Sequence, residues 1–198
     1  MTQSKTKFAL DLSNEGVSLW HREEDASWEL LGRVDIDDPD FSGKITALKN
    51  STAQKGDLIA QIRIPRSEVF ISSLEMNGVV GAAATTKIKT FLTHKTPYFA
   101  DELVFDLVNT EQDNTAYVCA VTKKTLAEAE TFIKAQGFSA AFYTTKCDTN
   151  EFPRAPRFLD TTTPAPALVV NAPEPAPKAP PSIPKEMPPK PDAAPKQD

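Results

Sequence analysis

The sequence predicts an α+β (mixed α/β) domain followed by a tail that builds no core, and three observations lead there. Short apolar or alternating runs are interleaved with amphipathic stretches of helical period, the pattern of a sheet with helices packed on it. Of the 17 prolines in 198 residues, 14 fall from Pro153 onward, while no glycine follows Gly137 and no aromatic follows Phe158. Val, Ile, Leu and Phe are plentiful enough before residue 150 for one core, and a domain of ~100–150 residues is a common size. The expected division is therefore a folded domain over 1–150 and a disordered Pro/Ala-rich linker or tail over 151–198.

The elements follow in order. Residues 7–13 (KFALDLS), 16–22 (GVSLWHR) and 27–36 (SWELLGRVDI) alternate or run apolar and are separated by polar turns, which predicts three antiparallel strands. Residues 40–54 place Phe41, Ile45 and Leu48 at helical spacing, with Ser42 as the N-cap of a short helix. The stretch 57–76 is too long for one strand and carries Pro65, whose missing N–H breaks a ladder, so it reads as two strand halves about a kink. After Asn77-Gly78, a stripe of Val80, Ala84, Ile88 and Phe91 predicts a second helix that must stop before Pro97.

Residues 102–108 (ELVFDLV) and 115–122 (TAYVCAVT) flank a polar NTEQDN loop and predict a hairpin. Thr125 and Glu128 have the spacing of a capping box, Leu126, Ala129, Phe132 and Ile133 form an apolar face, and Gly137 stands where a C-cap glycine belongs, giving a third helix. A strand over 138–145 closes the domain. About seven strands in one mixed sheet with three helices are expected. An opening meander followed by a helix suggests a single ribonuclease-H-like or actin-like subdomain.

Composition narrows function. Lys/Arg and Asp/Glu balance at five each from residue 155 on, so the net charge of −5 belongs to the earlier residues, and an acidic domain argues against nucleic acid. No run approaches the ~20 apolar residues of a spanning helix, and the start does not read as a secretory signal. Cys119 and Cys147 with His21 and His94 lack metal-ligand spacing, so two reduced thiols in a reducing cytoplasm are expected, with no metal and no cofactor.

Enzyme readings fare no better. Actin-like nucleotide binding needs a glycine turn after the first strand so that backbone N–H groups can approach phosphate, yet Asp11-Leu12-Ser13-Asn14-Glu15-Gly16 has none beside Asp11 and adds the carboxylate of Glu15. A two-metal nuclease needs several converging carboxylates, and neither 41–54 nor 58–64 contains an Asp or Glu. No catalytic residue is assigned. Arg63 and Arg66, flanking Ile64-Pro65, and Tyr98 in the Thr96-Pro97-Tyr98 knot are the weak candidates for partner binding. The knot otherwise reads as punctuation, with Tyr98 and Phe99 packed under the turn and Asp101 accepting from free N–H groups. Strand 102–108 would add a partner strand if it lies at a sheet edge.

FALDLSNEGVSLWHR, IRIPRSEVFISSLEM, FLTHKTPYFADELVFDLV and AYVCAVTKKTLAEAETFIKAQGF, in that order over residues 6 to 146, resemble the cytoplasmic domain of the type II secretion L protein and its relatives in type IV pilus assembly. The resemblance implies an actin-like fold and a bacterial scaffold at the inner face of the inner membrane, holding protein components of a secretion or pilus machine. The family's second actin-like subdomain is not matched here, where the chain turns to proline and alanine. The expectation is a non-catalytic scaffold. Its alternatives are a free cytoplasmic adaptor whose tail, extending ~3.1 Å per residue as polyproline II, docks a partner, and a degenerate actin-like nucleotide binder. A spacer works with both ends attached, so a membrane tether or further domain beyond Asp198 is expected.

Overall fold

The computed structural model describes residues 6–52, 56–110 and 114–158. The chain divides into two units, Met1–Leu168 and Val169–Asp198, and only the first contains described residues. Of the tail expected over 151–198, residues 159–198 lie outside the described residues.

The opening meander forms as its alternation requires. Strands β1 (Phe8–Leu12), β2 (Gly16–Arg22) and β3 (Trp28–Asp35) pair antiparallel, with Leu10 opposite Leu19 and Val17 opposite Val34. Gly16 opens β2 because a Cβ there would lie 2.2 Å from the Val34 carbonyl oxygen. Helix α1 (Phe41–Asn50) follows, then β4 (Leu58–Ile64), β5 (Val69–Glu75), α2 (Gly81–Lys95), β6 (Leu103–Thr110), β7 (Thr115–Thr122), α3 (Lys123–Ala135) and β8 (Phe138–Thr145).

Among the described residues, eight strands make two sheets rather than one mixed sheet of about seven. A five-stranded sheet runs β3-β2-β1-β4-β8, with β4 parallel to both β1 and β8, and a three-stranded antiparallel sheet runs β5-β7-β6. The first order is that of a ribonuclease-H-like subdomain, and everything from β5 to α3 is inserted between its last two strands. Pro65 is the seam. Its φ of −52° and ψ of 139° lead into a 3-10 turn at Arg66–Glu68, so the expected kink carries the chain out of one sheet into the other.

Helices α1 and α3 cover one face of the large sheet: Ile45, Leu126 and Ile133 join Leu10, Leu19, Ile62 and Phe138 in the main core. The small sheet alternates with period two. Val118 and Ala120 point to Ala84, Ile88 and Leu92 of α2 in a second core, whereas Cys119 and Val121 face the first. Strand β6 is an edge strand of this sheet.

Three expectations are corrected. Helix α1 begins at Phe41 with Asp40 before it, so Ser42 lies inside it. Helix α2 begins at Gly81, leaving Val80 exposed and off its buried stripe. Helix α3 is capped by Thr122 rather than Thr125: the Thr122 hydroxyl accepts from Thr125 N at 2.9 Å, Glu128 pairs with Lys124 at 3.7 Å, and β7 turns straight into the helix with no linker. The folded body also runs past the boundary read at residue 150. Phe152 and Phe158 are fully buried in the main core, and Phe158 exchanges two backbone hydrogen bonds with Tyr143, of 3.1 and 2.8 Å.

Candidate functional site

Alternation places Asp11 on the face of β1 opposite Leu10, away from α1 and α3, in register with Ser18 on one side and Arg63 on the other. Its carboxylate accepts from Arg63 Nη1 at 3.1 Å and from Lys146 Nζ at 2.6 Å. Both cations also lie on indoles: Arg63 Cζ is 4.6 Å from the Trp28 ring centroid and Lys146 Nζ is 5.0 Å from that of Trp20. Arg22 stacks on Trp28 at 5.6 Å and Arg157 on Phe142 at 4.5 Å.

The turn after β1 is closed on itself. Ser13 Oγ donates to the Gly16 carbonyl at 2.8 Å and accepts from Gly16 N at 3.1 Å, and Ser13 N donates to the same carbonyl at 3.0 Å. Glu15 is held by Arg33 at 2.7 Å. A metal ion at Asp11 would have to displace two cations, and a phosphate would meet Asp11 and Glu15 as like charges.

The three predicted partner-binding residues do not come together. Arg63 turns inward, its side chain only 11% exposed, and spends its charge on Asp11 and its plane on Trp28. Arg66 donates to the Val69 carbonyl at 2.8 Å and to Glu151 at 2.9 Å, and that hydrogen bond holds the Glu151 carboxyl below its ordinary pKa. Tyr98, 44% exposed, stands at a cleft of about 260 Å³ lined also by Glu68, Phe70, Lys95, Leu103 and Thr122. The knot is tied by Thr96, whose hydroxyl donates to the Leu92 carbonyl at 2.9 Å. Phe99 is exposed rather than packed under the turn, and its N–H goes to Glu102 at 2.8 Å, not to Asp101.

Sequence reading missed Trp20, Trp28 and Phe142 with their stacked cations, because strand pairing and the return of the segment after β8, not closeness along the chain, bring the partners together. It also treated His21 as isolated. Cross-strand pairing sets His21 opposite Glu29, and with Glu23 these offer ligand atoms within 4.8 Å of one another, His21 Nδ1 lying 3.0 Å from Glu23. Burial raises the pKa of the Cys119 thiol strongly and of Cys147 more modestly, so both stay protonated at neutral pH.

No protein-family model matches this sequence, and no curated protein matches it. Among solved structures, the chain is similar to the PilM-PilN type IV pilus biogenesis complex, at 11% identity over 70% of this chain and 47% of that one with a TM-score of 0.51. It is similar to the cytoplasmic domain of EpsL, an inner-membrane component of the type II secretion system of Vibrio cholerae, at 14% identity over 69% and 55% of the two chains with a TM-score of 0.48. A Bacteroides thetaiotaomicron protein with an actin-like ATPase fold matches at 14% identity over 72% and 54%, with a TM-score of 0.36. The chain spans about half the length of these structures. What the chain shares with the PilM-PilN structure is the fold. Among the described residues, no helix is long and apolar enough to cross a membrane.

Proposed function

We propose that this actin-like domain is a non-catalytic scaffold of a bacterial inner-membrane assembly of the secretion or pilus type, and that it works by presenting surfaces to protein partners at the cytoplasmic face. The observation that carries the reading is the clamp on Asp11: at the strand end where an actin-like site would gather metal and phosphate, Arg63 and Lys146 already occupy the carboxylate. The motif order supports the choice of machine, and the likeness to a structure that is itself a complex, PilM with PilN, supports protein partners.

Two measurements test it. Titration calorimetry of the full chain with ATP and magnesium should give no heat of binding; a magnesium-dependent isotherm in the micromolar range would favour the degenerate nucleotide binder instead. Affinity capture from the source cells should recover inner-membrane assembly proteins, and recovery of cytosolic enzymes alone would favour the free adaptor.

A further inference from the structure

Among the described residues, helices cover the large sheet on one face only. Its three parallel strands, β1, β4 and β8, are of the kind that normally have helices on both faces, because a parallel sheet is apolar on both. Here α1 and α3 pack on the Leu10–Leu19–Ile62 side. The opposite side carries Trp20, Trp28, Leu30, Ile59 and Phe142, none of which belongs to either core cluster. Ile59 is 58% and Leu30 48% exposed, high values for large apolar residues within strands.

The charge on this face has one sign in excess. Arg63 and Lys146 share Asp11, while Arg22 and Arg157 lie over Trp28 and Phe142 with no ion pair among the described residues. Stacking leaves the edges of these guanidinium groups free to donate to a carboxylate. Among the described residues, the buried Trp20 indole N–H meets no acceptor. A surface built this way offers apolar area in the middle and cations poised above it.

We infer that the bare face of the large sheet is a docking surface for an acidic amphipathic helix of a partner protein. A helix fits because it is the element that ordinarily fills the second side of such a sheet, and its apolar stripe would bury Leu30 and Ile59. Acidic residues beside that stripe would pair with Arg22 and Arg157. This rests on the scaffold reading and supplies that scaffold with a partner class.

The test places a photoreactive p-benzoylphenylalanine at Leu30 or at Ile59 of the full chain in the source cells, with a third variant at Tyr98 for comparison. Expected are crosslinks from Leu30 and Ile59 to a segment of another protein whose apolar residues recur at i, i+3 and i+4 and are flanked by Asp or Glu. Arg22→Gln combined with Arg157→Gln should lower that yield at least tenfold without changing the melting temperature of the purified protein. Trp20 and Trp28 are the two tryptophans of the whole chain, so a synthetic peptide of the captured segment should shift the intrinsic emission to the blue. Crosslinks to residues 159–198, to a second copy of this chain, or to a neutral or basic segment overturn the inference. Crosslinks from Tyr98 alone overturn it while leaving the scaffold reading intact, and magnesium-ATP binding in the calorimeter overturns the scaffold reading itself.

Discussion

Asp106 is a buried carboxylate in the middle of a strand. It sits inside the apolar run of β6 and is 5% exposed, yet all of its acceptor capacity is used: Arg154 donates from Nη1 at 2.5 Å and from Nη2 at 2.7 Å, Arg157 N at 2.8 Å, and Leu107 N at 2.8 Å. A buried carboxylate is tolerated only when it is paired and hydrogen-bonded in this way. Arg154→Ala leaves the charge facing the core with its two best donors gone. Because the guanidinium is itself half exposed, the expected loss is about 2–3 kcal/mol rather than that of a fully buried pair. Urea denaturation at pH 7 reads it directly. Arg154→Lys should recover only part, since an ammonium cannot reproduce the two-pronged geometry. Nothing near Asp106 in sequence announces its partner, which lies 48 residues away at the start of the proline-rich region.

At the scale of elements, local signals settled type and failed at some joins. Period two in 7–13, 16–22 and 27–36 gave the meander, and Gly137, with φ of 73°, ends α3 as a left-handed C-cap residue should. The joins depended on neighbours. Thr122 is both the last residue of β7 and the cap of α3, so a cap sought at Thr125 was sought too late. Thr122→Ala should cost about 1 kcal/mol, seen as a lower thermal midpoint, and Thr122→Ser should restore most of it because the hydroxyl still accepts from Thr125 N. Thr125→Ala should cost less, as its backbone N–H, not its side chain, completes the cap.

Across the whole described molecule, the segment after β8 closes the fold. Phe152 and Phe158 are fully buried in the main core, and Arg66 with Glu151 and Arg154 with Asp106 fasten the same segment to the inserted region. Phe158→Ala is expected to destabilise by about 3–5 kcal/mol, the range for emptying a buried phenylalanine, measured as a lower denaturation midpoint with an unchanged slope. A domain that ended at residue 150 would show almost no change.

The sequence by itself determined the kind and order of the elements and the mixed α/β class, because period and turn residues act over a few positions. Only the tertiary structure decided that the strands divide into two sheets at Pro65, that Arg63 turns in to Asp11, and that no helix among the described residues covers the tryptophan-bearing face of the large sheet. Those outcomes depend on which distant strands come into register, and a side chain's partners across a sheet leave no mark on its neighbours along the chain.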